Sequence, residues 1–74
     1  MSNFPAVNGK QVVRALLKLG FKLDRIAGSH HIMVKEGLPS IPVPVHGPRA
    51  LPTGTVASII RLAGVSKEKF FEAV

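Results

Sequence analysis

Residues 21–45 read FKLDRIAGSHHIMVKEGLPSIPVPV, and this stretch decides the fold. Phe21 and Leu23 alternate with Lys22 and Asp24, and this period-2 pattern predicts a half-buried β-strand to about Ile26. Ala27-Gly28-Ser29 is a predicted turn, and a second strand is predicted from His30 or His31 to about residue 35. The two strands therefore form a predicted hairpin whose turn contains Gly28 and Ser29.

The third strand is predicted over the run Ile41-Pro42-Val43-Pro44-Val45, where branched apolar residues alternate with proline. Residues i and i+2 of a strand direct their N–H groups to the same side, so the two prolines remove donors from one side only. The other side keeps its donors and can pair with the second strand. This run therefore predicts an edge strand whose outer side resists aggregation.

The chain before residue 21 has the pattern of a helix from about residue 9 to 19. Asn8 and Gln11 have capping-box spacing, and Gly20 is placed to end the helix. Val7 and Val12 have the spacing of a hydrophobic staple. One helix face is apolar, formed by Val12, Val13, Leu16 and Leu17.

Two helices are predicted after the strands. The first runs from Thr53 or Gly54 to Ala63 with Gly64 as its C-cap, and Ser66 caps a short helix that ends at about residue 73. Phe70 or Phe71 is expected to close the core. The order helix, three strands, helix, short helix predicts a two-layer α+β fold, with one three-stranded antiparallel sheet and helices on a single face.

Composition limits the classes of function. The chain has 74 residues, which fits one small domain, and it has no cysteine, which excludes disulfides, thiolate metal sites and a cysteine nucleophile. No apolar run is long enough to span a membrane, and the first residues lack the pattern of a signal peptide, so a soluble cytoplasmic protein is expected. The histidines and acids lack the spacing of a ligand set, so no metal and no other cofactor are expected.

The net charge is +6, which favours a polyanion, an anionic lipid or an acidic protein as the partner. Lys10, Arg14 and Lys18 are four residues apart and form one basic stripe on the first helix. The stripe is either a solvated face or a surface that follows phosphates. A membrane-bound basic helix is disfavoured, because the apolar face of this short helix is needed for the core.

The turn sequence Gly28-Ser29-His30-His31 has the residue types of a small ribonuclease site. RNA carries its own nucleophile, the 2′-hydroxyl, so a nuclease needs a base, positive groups near the phosphate and an acid for the leaving oxygen. Histidine can supply the base without a metal. Gly28 allows a close approach to phosphate, and Ser29 offers a hydroxyl donor. From these residues alone, the alternative that the histidine has no special role stays open.

The three histidines receive different predictions. His30 has the parity of Ile32 and Val34, which predicts that it faces the helix-covered side of the sheet. His31 is expected to be an exposed strand residue. His46 follows the third strand and is expected near the hairpin, in a structural or RNA-contacting role or as a general acid.

Several short motifs occur in the order and spacing of the HicA-type, or YcfA-like, mRNA interferase toxins. They are Gly20-Phe21, Gly28-Ser29-His30-His31, Pro44-Val45-His46, Gly54-Thr55-Val56, Ser58-Ile59-Ile60-Arg61 and Ala63-Gly64-Val65-Ser66. The chain resembles this family from about residue 7 to 73, which implies one HicA-like domain over residues 1–74. The resemblance also implies a double-stranded-RNA-binding-domain-like α-β-β-β-α fold.

The resemblance implies a function as well: the toxin of a type II toxin–antitoxin system. Such a toxin is an endoribonuclease that cleaves mRNA and is held inactive by a HicB-type antitoxin. By position in the motif, His30 is the implied catalytic residue. The residues expected to contact RNA are Lys10, Arg14, Lys18, Gly28, Ser29, His46 and Arg49.

The chain departs from the family pattern in the linker before Gly54. Leu51-Pro52-Thr53 stands where basic residues are usual, and only Arg49 is nearby. There is no Tyr or Trp, so recognition is expected to use phosphate, 2′-hydroxyl and shape rather than base stacking. The alternative function is a non-catalytic RNA-binding or protein-interaction module of the same fold.

Overall fold

The computed structural model describes residues 4–74, and its element order confirms the predicted α+β class. Three helices and three strands follow one another in the predicted order. They are α1 (Gly9–Lys18), β1 (Lys22–Ala27), β2 (His30–Val34), β3 (Ile41–Pro44), α2 (Thr53–Ala63) and α3 (Lys67–Ala73). The bounds differ from the predictions by one residue at most. No described helix is long and apolar enough to cross a membrane.

The strands form one antiparallel sheet in the order β1-β2-β3. Ala27 pairs with His30 across the hairpin, so the loop between β1 and β2 has only two residues. β3 lies at an edge, as predicted. Val45 donates its N–H inward, to the Ser29 carbonyl. Pro42 and Pro44 stand an odd number of residues away from Val45, so their nitrogens face the outer side of the sheet.

The core lies between one face of the sheet and the helices, which confirms the two-layer arrangement. Met33 of β2 and Ile41 and Val43 of β3 supply its sheet side. α2 buries its predicted face and ends at Gly64, whose φ is 73°. The buried side chains of the three helices are Val12, Ala15, Leu16, Val56, Ile59, Ile60, Ala63 and Phe70.

β1 is less buried than the alternation predicted. Phe21, just before the strand, is buried, but every residue of β1 is exposed, including Leu23 and Ile26. The pairing between β1 and β2 shifts between Leu23 and Arg25, which makes Asp24 an unpaired bulge residue. The prediction that Leu23 is half-buried was wrong because the helices cover this edge of the sheet only in part.

The predicted faces of the two adjacent histidines were also wrong. Met33 is the residue of β2 that is fully buried, so His31, two residues before it, lies on the helix-covered face. His30 is exposed and lies on the open face of the sheet with Ile32. The reason is that residues 32–34 are apolar at every position, and parity within β2 alone does not identify the core face.

Contacts at both ends of α1 fix its position over the sheet. At the start, Asn8 and Gln11 form the predicted capping box, with reciprocal hydrogen bonds of 2.8 and 2.9 Å. Gly9 packs directly against the backbone of Pro44 and Val45 at the end of β3. At the other end, Lys35 donates a 2.9 Å hydrogen bond from Nζ to the Leu19 carbonyl. α1 therefore runs alongside β2 in the same direction.

Replacing Gly9 by alanine should destabilise the fold by about 1–3 kcal/mol. The new Cβ would overlap the Pro44 carbonyl oxygen and lie 2.9 Å from Val45 Cα, and neither backbone atom can rotate away. The gain in helix propensity, about 1 kcal/mol at most, offsets only part of this strain. Urea unfolding followed by circular dichroism measures the change.

Gly54→Ala is the matched control, because Gly54 lies in the first turn of α2 and a Cβ there would meet nothing within 4 Å. Its free energy of unfolding should stay equal or rise by up to about 1 kcal/mol. Equal unfolding midpoints for the two variants would show that the contact between α1 and β3 is not tight.

Candidate functional site

The turn between β1 and β2 has a geometry that requires glycine at its first position. Gly28 has φ 61°, and Ser29 does not have a positive φ. This combination is typical of a type II′ turn, which matches the twist of a two-residue hairpin. A Cβ at Gly28 would meet nothing within 4 Å, so the positive φ and not space explains the glycine. The turn fixes the position of Ser29 beside the start of β2.

The loop between β3 and α2 lies next to this turn and is held at both ends. At its start, Val45 donates a 2.8 Å hydrogen bond to the Ser29 carbonyl. At its end, Leu51 donates a 2.8 Å hydrogen bond to the Val7 carbonyl, and Ala50 forms a β-bridge with Asn8. The loop residues between these anchors include His46 and Arg49.

Ser29 and His46 form a direct contact between the turn and the loop. Ser29 Oγ and His46 Nε2 lie 3.2 Å apart, and either atom donates, depending on the tautomer of the ring. Both residues keep access to solvent. The prediction that His46 lies near the hairpin is confirmed, although the sequence separates the two residues by 17 positions.

His30 occupies the first position of β2 at the same end of the sheet. It is exposed, pairs with Ala27 on one side and with Pro44 on the other, and projects from the open face. The ring is therefore accessible to a large molecule in solution. His30 lies at the same end of the sheet as the contact between Ser29 and His46, and we call these three residues, with two imidazoles and one hydroxyl, the hairpin-end cluster.

The predicted basic residues are divided between two ends of the molecule. Arg49 lines an open depression with His46 and Pro48, and Lys10 lines a neighbouring one with residues of the same loop. Lys18 lies at the far end of α1, which Lys35 ties to the opposite end of β2. Arg14 lies between these ends. The structure thus brings Lys10 and Arg49 near the hairpin-end cluster and keeps Lys18 apart from it.

His31 has an environment that the sequence did not indicate. Its side chain is half-buried on the helix-covered face, and its Nδ1 has no hydrogen-bond partner among residues 4–74. Its strand partner is Val43, a core residue. His31 is therefore placed against the core.

The hairpin-end cluster has the groups needed for proton transfer at a phosphate. An imidazole can accept or donate a proton, a hydroxyl can donate to an oxygen, and nearby cations attract negative charge. Within the described part of the chain, no three His, Cys, Asp or Glu side chains are grouped so that they could hold a metal ion. The chemistry that these residues offer is acid–base chemistry near an anion.

Comparison with known proteins gives a family for this arrangement. No curated protein matches the chain closely enough to count as a relative. A family model described as "HicA toxin of bacterial toxin-antitoxin" matches residues 9–65, which include the turn, the hairpin and the loop with His46 and Arg49. This match covers more than half of the chain, so the chain belongs to the HicA toxin family.

Proposed function

We propose that this HicA-family toxin is an endoribonuclease that cleaves mRNA at the hairpin-end cluster without a metal. The observation that supports the proposal best is the placement of His30 at an exposed strand start, at the same end of the sheet as a serine and a histidine that contact each other at 3.2 Å. His30 also belongs to the Gly-Ser-His motif on which the resemblance to these toxins rests. The cytoplasm, where mRNA is translated, is the proposed place of action.

In the proposed reaction, His30 is the general base. Its neutral imidazole accepts the proton of the 2′-hydroxyl, and the 2′-oxygen attacks the adjacent phosphorus. The bond from phosphorus to the 5′-oxygen breaks, and this oxygen leaves with a proton from an acid. The products are a 2′,3′-cyclic phosphate and a 5′-hydroxyl. The open face around His30 leaves room for the RNA chain.

The groups around His30 have proposed roles in binding the phosphate. Ser29 and His46 are close enough to contact the same phosphate group, with the Ser29 hydroxyl as a donor. Arg49 and Lys10 supply positive charge beside them. Gly28 keeps the turn free of a side chain on this approach. Arg14 and Lys18 extend the positive surface along α1 and would contact RNA farther from the bond that breaks.

The reaction should leave characteristic ends on the cleaved RNA, and a single 2′-deoxy nucleotide at the cleaved position should block it. The purified toxin should cleave the all-ribose strand and leave a 2′,3′-cyclic phosphate or its hydrolysis product, with or without EDTA. The strand with one 2′-deoxy nucleotide at the cleaved position should resist cleavage there, because its nucleophile is missing. Mass spectrometry of the fragments identifies both ends.

Three results would contradict the proposal. A 3′-hydroxyl with a 5′-phosphate would show that water and not the 2′-hydroxyl attacks. Loss of activity in EDTA would show that a metal takes part. Binding of the RNA without cleavage of any strand would favour the non-catalytic RNA-binding module.

A further inference from the structure

Three large apolar side chains of α1 and β1 are exposed, two of them at the β1 edge of the sheet. Ile26 is 57% exposed, Leu17 is 49% exposed and Leu23 is 44% exposed. We call Leu17, Leu23 and Ile26 the apolar stripe. Single exposed apolar residues are ordinary in small proteins, but a group of them on one surface indicates a place where another molecule binds.

The bulge at Asp24 is the reason that Leu23 and Ile26 share a face. Leu23 pairs with Met33 and Ile26 pairs with His31, and both partners lie on the helix-covered face of β2. Without the bulge, two residues three positions apart would point to opposite faces. The bulge therefore turns both side chains toward the face that α1 covers only in part.

Leu17 joins them from the helix above. Leu16 is fully buried and faces the sheet, and a rotation of 100° to the next residue carries Leu17 toward the β1 flank of α1. The chain itself passes from α1 to β1 on this flank, through Gly20 and Phe21. The apolar stripe is thus bordered by α1 on one side and by the backbone of β1 on the other.

The backbone edge of β1 is open as well. Within residues 4–74, β1 pairs with β2 on one side and with no strand on the other. β3 protects its outer edge with two prolines, whereas β1 contains none. An open edge with apolar side chains beside it is the surface to which an extended peptide adds as a further strand.

The charges around the stripe favour one kind of partner. Arg14 and Lys18 on α1 and Lys22 on β1 are exposed around it, and the only acid on β1, Asp24, is already paired with Arg25 at 2.6 Å. A second copy of the chain would bring these positive groups against each other. RNA offers negative charge, but it offers neither a strand nor aliphatic side chains to cover the stripe. An acidic protein segment matches all three features.

We propose that an acidic, extended segment of the antitoxin adds to β1 as a fourth strand and covers the apolar stripe. This inference rests on the proposed function, since it takes the neutralising antitoxin as the partner. Carboxylates of the segment would pair with the basic residues around the stripe. Ala27, the last residue of β1, lies opposite His30, so the added strand reaches the end of the sheet that carries the hairpin-end cluster.

The test measures binding of a purified HicB-type antitoxin to the purified toxin by calorimetry, without RNA. Ile26→Glu should weaken binding at least 100-fold, because the carboxylate meets both an apolar contact and an acidic segment. Leu23→Glu should act in the same direction. Both side chains are already largely exposed, so the fold should persist, and circular dichroism verifies this. In the complex, the outward amides of β1 should exchange hydrogen more slowly than in the free toxin.

Leu38→Glu is the matched control. Leu38 is also an exposed leucine, but it lies in the loop between β2 and β3, against the end of α2. The substitution Leu38→Glu introduces the same charge and should leave the antitoxin affinity within about twofold of wild type, as expected for a position outside the contact. Unchanged binding by Ile26→Glu, or equal weakening by Leu38→Glu, would overturn the proposal.

Two other outcomes would assign the stripe to a different occupant and also overturn the proposal. If the wild-type toxin sediments as a dimer and Ile26→Glu as a monomer, a second copy covers the stripe. If Ile26→Glu keeps its antitoxin affinity and loses RNA binding, the surface serves RNA. Because the binding assay contains no RNA, a toxin without ribonuclease activity would refute the proposed function and still leave this result interpretable.

Discussion

His30→Ala should cleave RNA about 10²–10⁴-fold more slowly than the wild type, which is the range for loss of a general base. The expected change is in rate and not in folding, because His30 is exposed at the first position of β2 and is not part of the core. Initial cleavage rates of the purified proteins measure it, and growth arrest after induced expression gives a second readout.

His30→Gln separates proton transfer from shape. Glutamine fills a similar volume and keeps a hydrogen-bond donor, but it cannot exchange a proton, so its rate should fall as far as that of His30→Ala. His46→Ala removes the partner of Ser29 and should have a smaller effect. If His30→Ala cleaves RNA at the wild-type rate and His46→Ala does not, His46 is the base and the proposed role of His30 is wrong.

Local signals in the sequence were sufficient for the helices and for one edge of the sheet. The capping box of Asn8 and Gln11, the left-handed Gly64 and the cap at Ser66 are contacts between near neighbours, and all three are present as predicted. The prolines of β3 also act locally, by removing N–H donors. Short-range chemistry therefore identified where most elements begin and end.

The face of each strand depended on contacts that are distant in the sequence. In β2 the apolar run leaves the parity undecided, and it is the pairing of Met33 with Ile41 and of His31 with Val43 that fixes it. In β1 the bulge at Asp24 reverses the alternation halfway along the strand. The alternation breaks in the sequence where Asp24 and Arg25 are both polar, but only the pairing with β2 shows that Leu23 and Ile26 share one face.

The candidate site was predictable in its residues more than in its arrangement. The motif singled out His30 and Ser29 as candidates, and the position of His46 after the third strand predicted that it lies near the hairpin. The separation of Lys18 from Lys10 by the length of α1 follows from helix geometry, but which of them lies near the turn depends on the packing of Gly9 against Pro44. Tertiary contacts therefore decided which basic residues accompany the histidines.

Phe70→Ala should lower the free energy of unfolding by about 3–5 kcal/mol, the usual cost of removing a buried phenylalanine. Phe70 is the largest of the fully buried side chains of the core. A chain of this size is stable by about 4–11 kcal/mol in total, so the change removes between about a quarter and all of that stability. Urea unfolding at 25 °C gives the midpoint and the free energy.

Phe71→Ala is the control, because Phe71 is half-buried and contacts Phe70 edge-on at 5.2 Å between ring centroids. Phe71→Ala leaves the core filled and should lower the free energy of unfolding by less.

The comparison also tests the role of α3, which lies beyond residues 9–65 that match the family model. α3 packs against α1, whose first residue, Gly9, contacts β3 and whose N-cap, Asn8, contacts the loop with His46. If Phe70→Ala unfolds at the same urea concentration as the wild type, α3 does not stabilise the fold that carries the hairpin-end cluster. A large loss of stability instead makes α3 part of the support for that site.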